Sequence, residues 1–312
     1  MRSPLNKRLF RELRGEFGKY LVIFILMTLT IGMVSGFLVA DGSMIQAYEE
    51  SFEKYSIENG HFRTEKKMNN AQIQDIEHLG IKLYENYYVE EALTNGSTMR
   101  IFKNRDEVNK VCLMKGKMPE KPGEIGIDRM YADNNDLSVG DEIESGGHTW
   151  KITGLVALSD YSALFSNNND SMFDSVKFGV SVVCPEEFDS YKADQLNYSY
   201  AWKYNTEPKN EKAEKDISED LMEDVAKEVT LEEFVPRYTN QAIIFTGDDM
   251  GGDRSMMIVL LYIIIVIMAF VFAITTSNTI RKEANVIGTL RASGYTRGEL
   301  IRHYLTCRSG LR

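Results

Sequence analysis

The chain has 312 residues, 43% of them hydrophobic and 26% charged, with a formal net charge of −10 and three cysteines. The length leaves room for more than one folded unit, no nucleic-acid partner is expected, and three cysteines give no disulfide framework. These averages conceal strongly apolar segments lying beside very polar ones.

In chain order, residues 1–19 place Leu5, Leu9, Phe10, Leu13 and Phe17 on one helical face and Lys7, Arg8, Arg11 and Arg14 on the other. That is the pattern of an amphipathic helix lying along a membrane surface. Residues 20–40 (YLVIFILMTLTIGMVSGFLVA) carry no charge and are long enough to cross a hydrocarbon layer of roughly 30 Å as a helix. A cleaved signal peptide is the alternative, disfavoured by the length of the apolar run, the long basic leader and the absence of a cleavage site before Asp41. Gly32 and Gly36 form a small-xxx-small pair, a candidate site for transmembrane helix packing.

Residues 41–254 change character. Asp41 to about Asn59 is expected to be helical, Asn69–Leu79 is a second helix candidate, and Ile81–Val89 a strand candidate. From Met99 short apolar runs alternate with turn signals (MRIFK, KVCLMKG, GEIGID, GDEIE, HTWKITGLVAL, VKFGVSVVCP), which predicts a strand-rich core. Residues 209–233 are highly charged, with Ile217, Leu221 and Val225 at four-residue intervals, and predict a solvated helix. The expected class is therefore α+β, with helices near both ends and strands between. Cys112 and Cys184 could pair, but each sits in an apolar run where a small buried hydrophobe is the commoner role. TGDDMGGD, with Asp248, Asp249 and Asp253, lacks the alternating ligands of a calcium loop and is expected to be a solvated turn. Asn167–Asp170 is expected to be an exposed loop, and the sequon at Asn95 carries little weight.

Residues 255–280 form a second uncharged run of helical, membrane-spanning length, and residues 281–312 are basic. The two ends carry +4 and +5 and leave −19 between them, so the positive-inside rule puts both ends in the cytoplasm and the acidic segment outside.

Two strings carry a family resemblance. In LMKGKMPEKPGEIGIDRMYADNNDLSVGDEIESGGHTWKITGLVAL (113–158), Pro119 and the Pro122-Gly123 turn precede a strand at Glu124–Asp128, a short helix holds Tyr131 and Ala132, and Val139-Gly140-Asp141 opens a hairpin. This string resembles the periplasmic core domain of MacB-like permeases at Gly116, Pro119, Gly123, Glu124, Ile125, Ala132, Leu137, Gly140, Asp141, Gly154 and Val156. RKEANVIGTLRASGYTRGELIRHYL (281–305) is similar to the cytoplasmic segment of FtsX-like permeases, with Glu283, Ile287, Gly288, Leu290, Arg291, Ala292, Gly294, Arg297 and Ile301 at matching positions. Asn285 departs from the pattern, which places Glu immediately before the Ile-Gly pair. Read by itself, the segment is a short amphipathic helix bearing Ile287 and Leu290 and broken at Gly294. A basic juxtamembrane helix on anionic lipid is the plainer reading of the same residues.

The joint resemblance implies a permease subunit of an ABC transporter in the bacterial cytoplasmic membrane, built as a cytoplasmic amphipathic helix (1–19), a first span (20–40), an extracytoplasmic MacB-like domain (41–254), a second span (255–280) and a cytoplasmic coupling helix (281–312). It implies ATPase-coupling roles for Glu283, Ile287, Gly288, Leu290, Arg291 and Gly294. It also implies a separate ATPase holding ATP and magnesium, a second permease copy, a bilayer, and an extracytoplasmic partner or a peptide or lipid substrate. Further spans are expected beyond Arg312, as if the chain were a fragment. No GxxxxGK(S/T) loop is present, so the chain supplies no such phosphate loop itself. His61, His78, His148 and His303 are scattered without metal-ligand spacing, and no catalytic constellation or metal site is expected. A two-span receptor shares the layout but would need a signalling tail that 281–312 does not resemble.

Overall fold

The computed structural model describes residues 17–301, and the chain divides into two compact units: Met44–Met250, and one formed by the stretches on either side of it. The amphipathic leader predicted over 1–19 lies outside the described residues except for its last three. The first apolar run is helical within α1 (Phe17–Lys54), so the helix continues beyond Asp41 as expected but stops five residues before Asn59.

From α1 the chain lays down β1 (Gly60–Thr64), α2 (Asn70–Glu77) and β2 (Ile81–Glu85). It then builds β3 (Tyr88–Ala92), β4 (Thr98–Lys103), β5 (Val111–Gly116), β6 (Glu124–Asp128), α3 (Arg129–Asn134), β7 (Glu142–Ser145), β8 (His148–Leu158), β9 (Phe178–Val183) and α4 (Pro185–Phe188). It returns through β10 (Tyr198–Tyr204), α5 (Glu211–Glu228), β11 (Leu231–Pro236) and a short 3-10 turn into α6 (Gln241–Lys282) and α7 (Ala284–Ala292).

Two sheets result. The smaller is antiparallel in the order β11-β1-β10-β2, and the larger is mixed in the order β3-β4-β9-β6-β8-β5, with β7 also paired to β8. Alternation sets the two faces of the smaller sheet. Phe62, Tyr200, Trp202 and Phe234 stack on one face, Trp202 and Phe234 with ring centroids 4.8 Å apart, while His61 and Arg63 take the alternate positions of β1. α2 and α5 pack against this sheet, burying Ile76, Leu221 and Val225. α2 begins with a capping box, Asn69 accepting from Gln72 N–H at 3.0 Å while the Gln72 side chain accepts from Asn69 N–H. In the larger sheet Ile125, Ile127, Trp150, Ile152, Val180 and Val182 are fully buried, and Tyr131 on α3 closes over Gly179.

The string 113–158 folds as expected into β5, β6, α3 and the β7–β8 hairpin. Three expectations are corrected. Ile81–Val89 is two strands in different sheets. Between them the buried Asn86 donates its N–H to Ser199 O at 2.9 Å and accepts from Arg105 Nη1 at 2.8 Å, which turns the chain. The helix predicted over 209–233 ends at Glu228, and Leu231–Glu233 belong to β11; it is solvated on one side only, since Ser218, Leu221 and Val225 are buried. TGDDMGGD is helical, inside α6, rather than a turn: Asn240 Oδ1 accepts from Ala242 N–H at 3.1 Å, and a helix started there propagates into the apolar run despite glycines costing about 1 kcal/mol each.

α3 supplies a pH-dependent prediction. Its N-cap, Asp128, accepts from Met130 N–H at 2.8 Å and Tyr131 N–H at 3.2 Å, yet burial pushes its carboxyl up to about 6. The folded value lies above the unfolded one, so the buried charge costs stability above pH 6 and the cost fades as the pH falls toward 4. Asp128→Asn keeps the acceptor and removes the charge. It should stabilise the protein at pH 8 by at most about 3 kcal/mol and be neutral near pH 4, read by urea unfolding at both pH values.

Candidate functional site

α6 and α7 are separated by one residue. Glu283, at φ −98° and ψ 6°, interrupts the helix, and its carbonyl accepts from Ile287 N–H at 2.9 Å to start α7. α7 ends in a Schellman motif: Gly294 N–H donates to Arg291 O at 3.1 Å, Tyr295 N–H to Leu290 O at 3.2 Å, and Gly294 takes φ +96°. Two residues on, Thr296 N–H donates to Glu299 Oε2 at 2.9 Å and Glu299 N–H to Thr296 Oγ1 at 3.3 Å, a capping box that opens the next helical turn. Val286, Ile287 and Leu290 are half-buried, whereas Gly288, Thr289, Arg291 and Ala292 are exposed. The predicted coupling residues are thus brought together on and around one short, sharply bounded helix.

The two apolar stretches have mean hydropathies of 2.4 and 3.3 over their best windows and are long enough to cross a membrane. Their large side chains face outward, Val39 at 70% and Phe270 at 66% exposure. At Gly32 and Gly36 a Cβ would meet nothing within 4 Å, so this chain places no helix against that pair among the described residues. Asp248, Asp249 and Asp253 sit along α6, and no group of metal-ligating side chains occurs among the described residues. Cys112 and Cys184 are free thiols, and Cys184 is the buried one. The Asn95 amide donates to Tyr131 Oη at 3.1 Å and Asn135 Oδ1 at 3.2 Å.

A second site lies wholly within Met44–Met250. A polar cleft of about 620 Å³ is lined by His61 and Arg63 on β1, Ser199 on β10, Tyr88 and Glu90 on β3, and Arg100 on β4. The segment 159–170 forms a further wall. Arg100 is clamped between rings, 4.5 Å from the centre of Tyr88 and 5.0 Å from that of Phe178. It donates to Glu90 Oε1 at 2.6 and 2.8 Å, to Tyr161 Oη at 2.7 Å and to Ser166 O at 2.8 Å, pinning the wall to the sheet. Behind it, Arg105 and Asp160 form a doubly bonded ion pair at 2.7 Å.

At the other side of the cleft, Glu58 is buried and meets His61 Nδ1 at 2.6 Å, while its second oxygen accepts from Asn109 Nδ2 at 2.6 Å. Burial alone would raise the Glu58 carboxyl, but the imidazole charge and the two hydrogen bonds outweigh it and hold the carboxyl below its usual range. Burial likewise would lower His61, and the adjoining carboxylate overrides it and raises the imidazole. Sequence reasoning placed Asn167 in an exposed loop, and Asn167 lines the cleft together with Tyr161 and Phe165 of the preceding segment. It missed the Glu58–His61 pair and Arg100, whose partners are remote in sequence.

No family model matches the chain. No curated protein matches it. Among solved structures, it is similar to the periplasmic region of MacB from Actinobacillus actinomycetemcomitans, at 11% identity and a TM-score of 0.31, over 55% of this chain and 85% of that one. It is also similar to the extracellular domain of the noncanonic ABC-type transporter YknZ from Gram-positive bacteria, at 9% identity and a TM-score of 0.31, over 56% of this chain and 98% of that one. The chain is a mixed α+β protein whose strand-rich unit stands in sequence between two helices long and apolar enough to cross a membrane.

Proposed function

We propose that this chain is the membrane subunit of an ABC transporter of the MacB/FtsX kind, coupling ATP hydrolysis on a separate ATPase to movement of an extracytoplasmic domain. The observation that carries the reading is α7: a nine-residue helix set off from an apolar 42-residue helix by Glu283 alone, closed at Gly294, with Ile287 and Leu290 on its less exposed side. A short rigid knob that follows a span is what a soluble motor needs to push on, and the sequence around it matches the FtsX-like pattern.

In this reading ATP and magnesium belong to the ATPase, and the chain itself is not an enzyme. Its basic ends are cytoplasmic and its acidic unit extracytoplasmic. Gly32 and Gly36 serve packing against a second permease copy within the bilayer.

The test is co-expression of the full reading frame with its neighbouring ATPase gene, followed by purification on the permease. The ATPase should be recovered with the native chain. Ile287→Asp or Leu290→Asp should cut its recovery at least about tenfold, because a carboxylate in an apolar contact costs more than the 1.4 kcal/mol that a factor of ten represents. Absence of an ATPase from the native preparation, or equal recovery with both variants, overturns the reading.

A further inference from the structure

The cleft between the two sheets is not balanced in its donors and acceptors. Its carboxylates are already engaged: Glu90 by Arg100, Asp160 by Arg105, Glu58 by His61 and Asn109, Glu233 by Arg63 at 3.7 Å, and Asp174 by the Val176 and Lys177 N–H groups at 3.1 Å. Two cationic groups that line the cleft keep a donor free. Lys177 lines the cleft, is exposed, and has no ion-pair partner among the described residues. His61 spends Nδ1 on Glu58 and keeps Nε2 for whatever enters. Around them are aromatic walls (Tyr88, Tyr161, Phe178) and side-chain amides (Asn167, Asn197). A volume of about 620 Å³ is that of a small-molecule pocket.

The wall 159–170 is tied to the first turn of α6. Ser162 Oγ donates to Ala242 O or Ile243 O, both at 2.9 Å, and Ala163 N–H donates to Ala242 O at 3.2 Å. Asn168 accepts from Gln241 twice, from its N–H at Oδ1 (2.9 Å) and from its side-chain amide at the backbone carbonyl (2.6 Å). Asn168, itself a cleft residue, therefore satisfies one of the orphan N–H groups at the start of α6.

We propose that this cleft binds a carboxylate-bearing ligand of amino-acid to short-peptide size, held by His61 and Lys177, and that the wall 159–170 transmits occupancy to the first turn of α6. The inference goes beyond the transporter reading and stands without it; no ATPase enters its test.

The experiment is titration calorimetry on the full chain in nanodiscs with three probes: succinate, N-acetyl-Ala-Ala-Tyr as the free acid, and the same peptide as its C-terminal amide. At least one carboxylate probe should bind, and the amide should bind at least about tenfold more weakly than the acid, the weight of one charge-assisted hydrogen bond. Succinate binding identifies a free carboxylate solute as the ligand, whereas binding of the peptide acid alone identifies a chain terminus. Lys177→Gln, at an exposed position that leaves the fold intact, and His61→Gln should each weaken binding about tenfold. Hydrogen exchange of the amides of 241–246 should slow on binding. No binding of either acid at millimolar concentration, an amide that binds as tightly as a bound peptide acid, or a Lys177→Gln variant that binds normally overturns the site. Binding without any change in exchange at 241–246 overturns the transmission.

Discussion

Asp160→Ala should destabilise the Met44–Met250 unit by about 3–5 kcal/mol, the cost of stranding a buried guanidinium. The side chains of Arg105 and Asp160 are 7% and 5% exposed and share two bonds of 2.7 Å. Arg105 is held in place by Asn86 and by the face of Phe102, 4.6 Å from the ring centre, so it cannot swing out to water when its partner is removed. The chain contains two tryptophans, Trp150 in the larger sheet and Trp202 in the smaller, both fully buried, so their emission during urea unfolding follows both sheets. Arg105→Met combined with Asp160→Leu should recover most of the loss, because an apolar pair of similar volume escapes the desolvation penalty. A single-variant loss below about 1 kcal/mol would mean that the pair behaves as a solvated one.

Gly116→Ala should cost about 3 kcal/mol or more. Gly116 sits at φ +81°, where an added Cβ costs about 1–2 kcal/mol by itself. That Cβ would also lie 2.3 Å from Thr153 O, a backbone atom inside the β5–β8 ladder that cannot move alone. Gly154, its ladder partner, is hemmed in on the other side, where an added Cβ would lie 2.5 Å from Lys117 O. Gly154→Ala should be destabilising as well, although its φ is ordinary. The same tryptophan-detected unfolding checks both variants, and a Gly116→Ala protein as stable as the native one would show that β5 is free to separate from β8.

The larger sheet was legible because its strands are local and punctuated. Pro122-Gly123 before β6, Val139-Gly140-Asp141 before β7 and the alternation of HTWKITGLVAL each mark an element without knowledge of its neighbours. The smaller sheet was not. β1 is five residues with a glycine at its start, and β11 follows a charged helix so closely that Leu231–Glu233 read as its continuation. β10, YSYAWKY, carries a period-two aromatic signal that could have been found, with Tyr200, Trp202 and Tyr204 on the buried face. The bounds of α7 were visible in Gly294 and in the spacing of Ile287 and Leu290. The cleft was hidden for a different reason: His61 meets Glu58 locally, but Asn109 joins them from 51 residues away and Arg100 reaches Tyr161 from 61. Such contacts exist only once the two sheets are placed.

That placement carries a consequence for how the unit is composed. β2 and β10 are antiparallel neighbours although seven strands, β3 to β9, lie between them in sequence, and where that intervening chain departs and returns, Tyr88 and Asn197 exchange backbone bonds at 2.9 and 3.3 Å. The larger sheet is thus a guest lodged in a host: its two ends sit one ladder pair apart, and a tight turn from β2 to β10 would close the host without it. Evolution can therefore resize or replace the guest, cleft wall included, while the host keeps both of its chain connections unchanged.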